Sequence, residues 1–131
     1  MADATEQIDN SILHDIKQML GQEWDDTTYD LDMKILINGI FFNLHQVGVG
    51  PSDGFQIEDH TTLWSAFTGV TPQQLNAVKE YIFLRAKLAF DPGSNGFLIT
   101  NLEKQADKLE WTLMVSADPP VPQSVLGEIN E

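Results

Sequence analysis

Three histidines and a knot of aspartates are the residues of this chain whose chemistry could make a site. His14, His45 and His60 fall in separate predicted elements and match no metal-ligand spacing. Asp25, Asp26, Asp30 and Asp32 form the densest acidic cluster, which raises the question of a calcium loop. Such a loop also needs glycine at its sixth position and glutamate at its twelfth. Counted from Asp26, those positions hold Leu31 and Ile37. The cluster therefore reads as the acidic start of a helix, where carboxylates meet the positive end of the helix dipole. There is no Gly-x-Ser-x-Gly elbow. Gly48-x-Gly50 follows a helix rather than a strand and lacks the rest of a dinucleotide fingerprint. No carboxylate pair is singled out for acid–base work. The expectation is a protein that is not an enzyme and uses no cofactor and no metal.

The residues that call for an explanation are aromatics on polar stripes. Trp111 lies on the charged side of a helical pattern, following Lys104, Asp107 and Lys108, with Val115 beyond it. Phe83 shares a stripe with Asn76, Lys79, Glu80 and Lys87, and Phe42 is flanked by Asn38, His45 and Gln46. An aromatic without a core to fill marks a surface for a partner, and three of them in one small domain favour an oligomer.

The elements that must position these residues are helical nearly throughout. A first helix is expected from Asp9 or Asn10, with Ile8, Ile12, Ile16, Met19 and Leu20 inward, stopped by Gly21. Trp24 in the following loop is expected to cover the core. A second helix begins near Asp30, with Leu31, Ile35, Ile37, Ile40, Phe41 and Leu44 inward. Gly39 inside it implies a close helix–helix crossing. Gly48-Val-Gly-Pro51 breaks the chain, and Phe55-Gln-Ile57 suggests a short extended piece. A short helix carries Leu63, Trp64 and Phe67. Thr71-Pro72-Gln-Gln74 is a capping box opening a helix to Phe90, apolar on two stripes and hence central. The first of those stripes is Leu75, Val78, Ile82, Ala86 and Ala89. Thr100-x-x-Glu103 opens the last pattern, with Ile99, Leu102, Ala106, Leu109 and Leu113 inward. The fold class is all-α: a compact bundle of four main helices plus a short one. Residues 1–8 form an extension, 9–115 the helical domain, and 116–131 a flexible C-terminal tail broken by three prolines.

At 131 residues the chain suffices for one core without staples, and it has no cysteine for disulfides or thiolate metal sites. No apolar run approaches the ~20 residues of a membrane span, so no membrane is expected among its partners. The net charge of −13 is unevenly placed. Residues 1–71 hold twelve acids against Lys17 and Lys34, a balance of −10, whereas residues 72–115 carry five of each sign. Phosphate binding needs clustered Lys and Arg, so such a chain repels nucleic acid rather than gripping it.

Taken in order, the landmarks of residues 9–115 resemble the head–tail connector (adaptor) proteins of long-tailed bacteriophages. They are Tyr29-Asp30-x-Asp32, Ile37-Asn38, Leu44-x-x-x-Gly48-Val-Gly50 and Trp64-x-x-Phe67. Then follow Leu75-Asn-Ala-Val-Lys79, Tyr81-Ile82, Lys87-Leu88-x-Phe90-Asp-Pro92 and Glu110-Trp111. Thr112 departs from the pattern, in which a basic residue often follows the tryptophan. The resemblance implies a helical bundle located in the virion at the head–tail interface, and in the host cytoplasm during assembly. It implies a homo-oligomeric ring of about twelve copies. The ring would lie between the portal protein and the next head-completion or tail protein, with DNA passing through without sequence-specific binding. On that reading Phe42, Phe83 and Trp111 are oligomer-interface candidates. Asp25, Asp26, Asp30 and Asp32 would line the channel. Pro119, Pro120, Val121, Val125, Leu126 and Ile129 would meet the portal. The alternative from another class is an acidic DNA-mimic inhibitor of a host nucleic-acid enzyme.

Overall fold

Helix starts and stops follow local chemistry in the computed structural model, which describes residues 8–117. The first helix, α1 (Ile12–Met19), is capped by Ser11, whose hydroxyl accepts from the His14 backbone N–H at 3.2 Å. Asn10 does not cap it. It takes a left-handed φ of 64° and its carbonyl accepts from the Trp64 N–H at 3.0 Å. With Ile12 N–H on the Thr62 carbonyl, this ties the helix start to the loop beneath the later 3-10 turn. The inward face is Ile12, Leu13, Ile16 and Lys17, whereas Met19, expected inward, is exposed. Gly21 ends the helix at φ +81°, a conformation that glycine adopts without strain.

Lys17 is the unexpected member of that face, only 1% exposed. Its ammonium donates to the carbonyls of Trp24 (2.9 Å) and Asp26 (2.6 Å) and to the Asp30 carboxylate (2.8 Å). All three donors of the ammonium are thereby used, the condition under which a buried charge is tolerated. The bonds fold the polar loop 22–29 over the end of α1 and pin the first residue of the next helix.

That helix, α2 (Asp30–Gln46), buries Met33, Ile37, Ile40, Phe41 and Leu44. Leu31 and Ile35, expected inward, are 67% and 64% exposed, and Met33 takes the place assigned to them. The reason is helical phase: Met33, Ile37, Phe41 and Leu44 lie on the side of the pinned Asp30, and Leu31 and Ile35 lie well round from it. Gly39 marks no crossing within the chain, since a Cβ placed there would meet nothing within 4 Å.

Beyond α2 the chain forms loops held by specific contacts. Phe55-Gln-Ile57 pairs with no strand. Instead the Asn38 side chain receives the Ile57 N–H (2.7 Å) and donates to its carbonyl (3.0 Å), replacing both bonds a neighbouring strand would supply. Phe41, Phe55 and Phe67 meet with ring centroids 4.9–5.2 Å apart. Gly50 sits under this cluster at φ +98°, and a Cβ there would lie 2.6 Å from the Phe67 ring. The 3-10 turn Trp64–Ala66 buries Trp64, whose indole N–H reaches Asp15 at 2.7 Å.

Helix α3 (Pro72–Phe90) begins in the expected capping box, with both reciprocal Thr71–Gln74 bonds formed. It is the central helix, packing against α1, α2 and the last helix, α4 (Gly96–Ala117). Ala89 alone of its first expected stripe is exposed. Helix α4 starts a turn earlier than expected: the Asn95 side chain accepts from the N–H groups of Phe97 and Leu98, so Thr100 is already helical. It also runs two residues past the boundary placed at 115. Among the described residues there is no strand, only an isolated bridge between Ser11 and Leu63.

Replacing Lys17 by Met keeps the apolar stem but leaves Asp30 and two carbonyls without their donor. We expect a loss of about 3 kcal/mol in urea unfolding. A loss under about 1 kcal/mol would show that the loop 22–29 is held by other contacts.

Candidate interaction surfaces

Two helices present apolar side chains to solvent. On α2 the outward stripe is Leu31, Ile35 and Phe42, the last 61% exposed. They share one face over about 16 Å of helix. A groove of about 570 Å³ runs beside them, with Gly39 in it and Arg85 of α3 on its far wall. A second, of about 530 Å³, lies on the other side of Phe42, bounded by Asn38, His45 and the loop 53–56. Phe42 thus stands between two hollows.

On α4 the inward stripe holds Ala106 and Leu113 fully buried and Leu102 and Leu109 packed against the core, whereas Ile99, expected with them, is only half-buried at its start. A clasp fixes its rotation. Tyr81 donates its hydroxyl to the Glu110 carboxylate, and Arg85 bonds Asp107 at 3.0 Å and Glu110 at 3.5 Å. Burial and the carboxylate beside it push the Tyr81 phenol above its ordinary pKa of 10.0. With Glu110 held against α3, the opposite stripe faces outward: Phe97, Lys104, Lys108, Trp111 and Val115, with Trp111 62% exposed.

Phe42 and Trp111 are therefore where the sequence reading put them, on open surface. Phe83 is not. It is half-buried and packed against the core, because its neighbours Ile82 and Leu84 carry that part of α3 into the interior. Leu31, Ile35 and Phe97 belong to the open surface and were missed. The first two were assigned inward from their spacing, and Phe97 was placed before the helix start.

The acidic cluster divides. Asp25 and Asp32 are exposed. Asp26 accepts from the hydroxyl (2.7 Å) and N–H (3.1 Å) of Thr28, and those bonds hold its carboxyl below the usual range. Asp30 is partly buried, with one carboxylate oxygen on the Lys17 ammonium at 2.8 Å. The portal candidates Pro119, Pro120, Val121, Val125, Leu126 and Ile129 lie outside the described residues. His14 and His60, read as separate, stack with ring centroids 5.3 Å apart. Among the described residues no three His, Asp or Glu side chains converge as metal ligands. No helix there is long and apolar enough to cross a membrane.

Fold and surfaces together define a small all-α protein whose conspicuous surface features are apolar helix faces. Comparison with known families agrees: residues 12–120 match the phage connector proteins. The chain belongs to that family. It is thereby a structural component of the virion that interacts with other phage head or tail proteins. No curated protein and no solved structure matches it.

The buried histidine gives the fold a pH signature. His14 is 3% exposed, and its Nδ1 accepts from the Ile8 N–H. Burial, then His60 and Lys17, lower its pKa from 6.5. Below that value the unfolded chain takes up a proton that folded His14 resists. Stability therefore falls as the pH drops through 6.5 toward the lower folded pKa. Melting curves between about pH 7.5 and 5.5 should show a smaller acid loss in His14→Gln than in the parent. Parallel losses would assign the effect to other groups.

Proposed function

We propose that this chain forms a closed homo-oligomeric ring between the portal and the next head-completion or tail protein, extending the channel through which DNA passes. The observation that carries this reading is the pair of exposed apolar helix faces on a member of the phage connector family. A subunit that repeats round an axis must offer two different lateral surfaces, one to each neighbour. Here the two apolar faces lie on different helices, α2 and α4, so each can serve a different neighbour. Phe42 and Trp111 are the interface residues on this reading. The segment 116–131 is proposed to reach the portal.

The uneven charge supports a channel role for part of the surface. Carboxylates at Asp25, Asp26 and Asp32 repel phosphates, so DNA slides by without adhering. Asp30 is left out because Lys17 neutralises it. The DNA-mimic alternative rests on net charge alone, and family membership favours the connector.

Quantitative mass spectrometry of purified virions should find this chain and the portal in a ratio near one to one. Its absence from virions would remove the ring. Converting Asp25, Asp26 and Asp32 together to asparagine should slow DNA ejection, and ejection at the parental rate would take these residues out of the channel.

A further inference from the structure

We infer that the Gly39 groove of α2 receives the Trp111 face of α4 from a second copy of this chain. The inference rests on the ring reading and names the surfaces by which the copies meet.

The starting observation is a glycine with no intramolecular purpose. Gly39 lies within a regular helix, where glycine is less favourable than alanine. It has no positive φ, and a Cβ at its position would meet no atom within 4 Å. Backbone freedom and internal packing, the usual reasons for such a glycine, are both absent. What its bare backbone does create is the floor of the 570 Å³ groove, with exposed Ile35 and Phe42 along one rim. A groove of that size accommodates an aromatic ring, and a methyl group at Gly39 would project into it.

The occupant is argued from complementarity. The outward stripe of α4 is apolar at its ends, Phe97 and Trp111 with Val115, and basic in its middle, Lys104 and Lys108. The α2 stripe is apolar, with exposed Asp32 beside it, as far along the helix from Gly39 as Lys104 is from Trp111 on α4. Lys104 of one copy thus meets Asp32 of the next while Trp111 fills the groove. Because the two faces lie on different helices of one chain, such a contact is head-to-tail and can propagate to closure. Aromatic side chains in desolvated hollows carry much of the energy in such interfaces.

The test is particle assembly with full-length variants, scored as copies per portal, beside the melting temperature of each purified chain. Gly39→Ala should raise the melting temperature by about 3 °C while cutting incorporation about tenfold. Trp111→Ala should leave melting nearly unchanged and cut incorporation comparably. The absence of cysteine permits a direct check. A chain with Asn43→Cys at the groove and Val115→Cys one turn from Trp111, treated in particles with a short bismaleimide, should give a ladder of multimers, and either single variant should give none. If the parent chain forms a ring but both point variants incorporate normally, this pairing is overturned and the ring stands. Dimers from a single-cysteine chain overturn it as well, since like faces would then be meeting. A fall in melting temperature for Gly39→Ala would mean the glycine serves the fold itself. A parent chain that forms no ring removes both readings.

Discussion

Lys17 carries a charge into the interior, and three oxygen acceptors hold it there. Two of them are backbone carbonyls of the loop that follows α1, and the third is the carboxylate of the first residue of α2. That arrangement does more than neutralise a buried ammonium. By anchoring Asp30 inward it sets the rotation of α2, about 100° per residue from that point. Met33, Ile37, Phe41 and Leu44 then enter the core, and Leu31, Ile35 and Phe42 are turned out. The apolar outer stripe of α2 follows from where its first residue is tied.

A corresponding constraint acts between α3 and α4. Tyr81 and Arg85 hold Glu110 and Asp107, which fixes the rotation of α4 and leaves Trp111 facing solvent. Polar contacts inside the subunit thus orient two apolar faces outside it. This division suits a protein that folds alone and assembles later. Buried polar groups are satisfied in the single chain, with no orphaned side-chain donor or acceptor among the described residues. The exposed apolar stripes retain free energy that burial against another surface would release.

Helix number, the α3 capping box, the inward stripe of α4 and the exposure of Trp111 and Phe42 were legible because each depends on local periodicity or capping. Most departures arise from tertiary phase; the earlier start of α4 comes instead from a local cap, Asn95. Leu31 and Ile35 fit a helical repeat as well as Met33 does, and tertiary ties, Lys17–Asp30 and Asn38–Ile57, decide between them. Lys17 itself stands four residues after Leu13 on the buried face of α1, a spacing that hinted at burial, but charged residues are seldom inside. Phe83 looked polar-faced because Lys79, Glu80 and Lys87 neighbour it on the helix, yet loops and other helices close over it. Gly39 was read correctly as unusual and wrongly as an internal crossing. The family was visible in the order of landmarks, none of which is catalytic.

The central claim is that one folded chain offers two different apolar helix faces, on α2 and α4, to its neighbours at the head–tail junction. A cryo-electron microscopy map of that junction, at a resolution that traces helices, addresses it directly. The account predicts repeated copies in a closed ring, the Leu31–Phe42 face of α2 buried against α4 of the adjacent copy. A ring in which both faces remain open to solvent, or a junction without this chain, would contradict it.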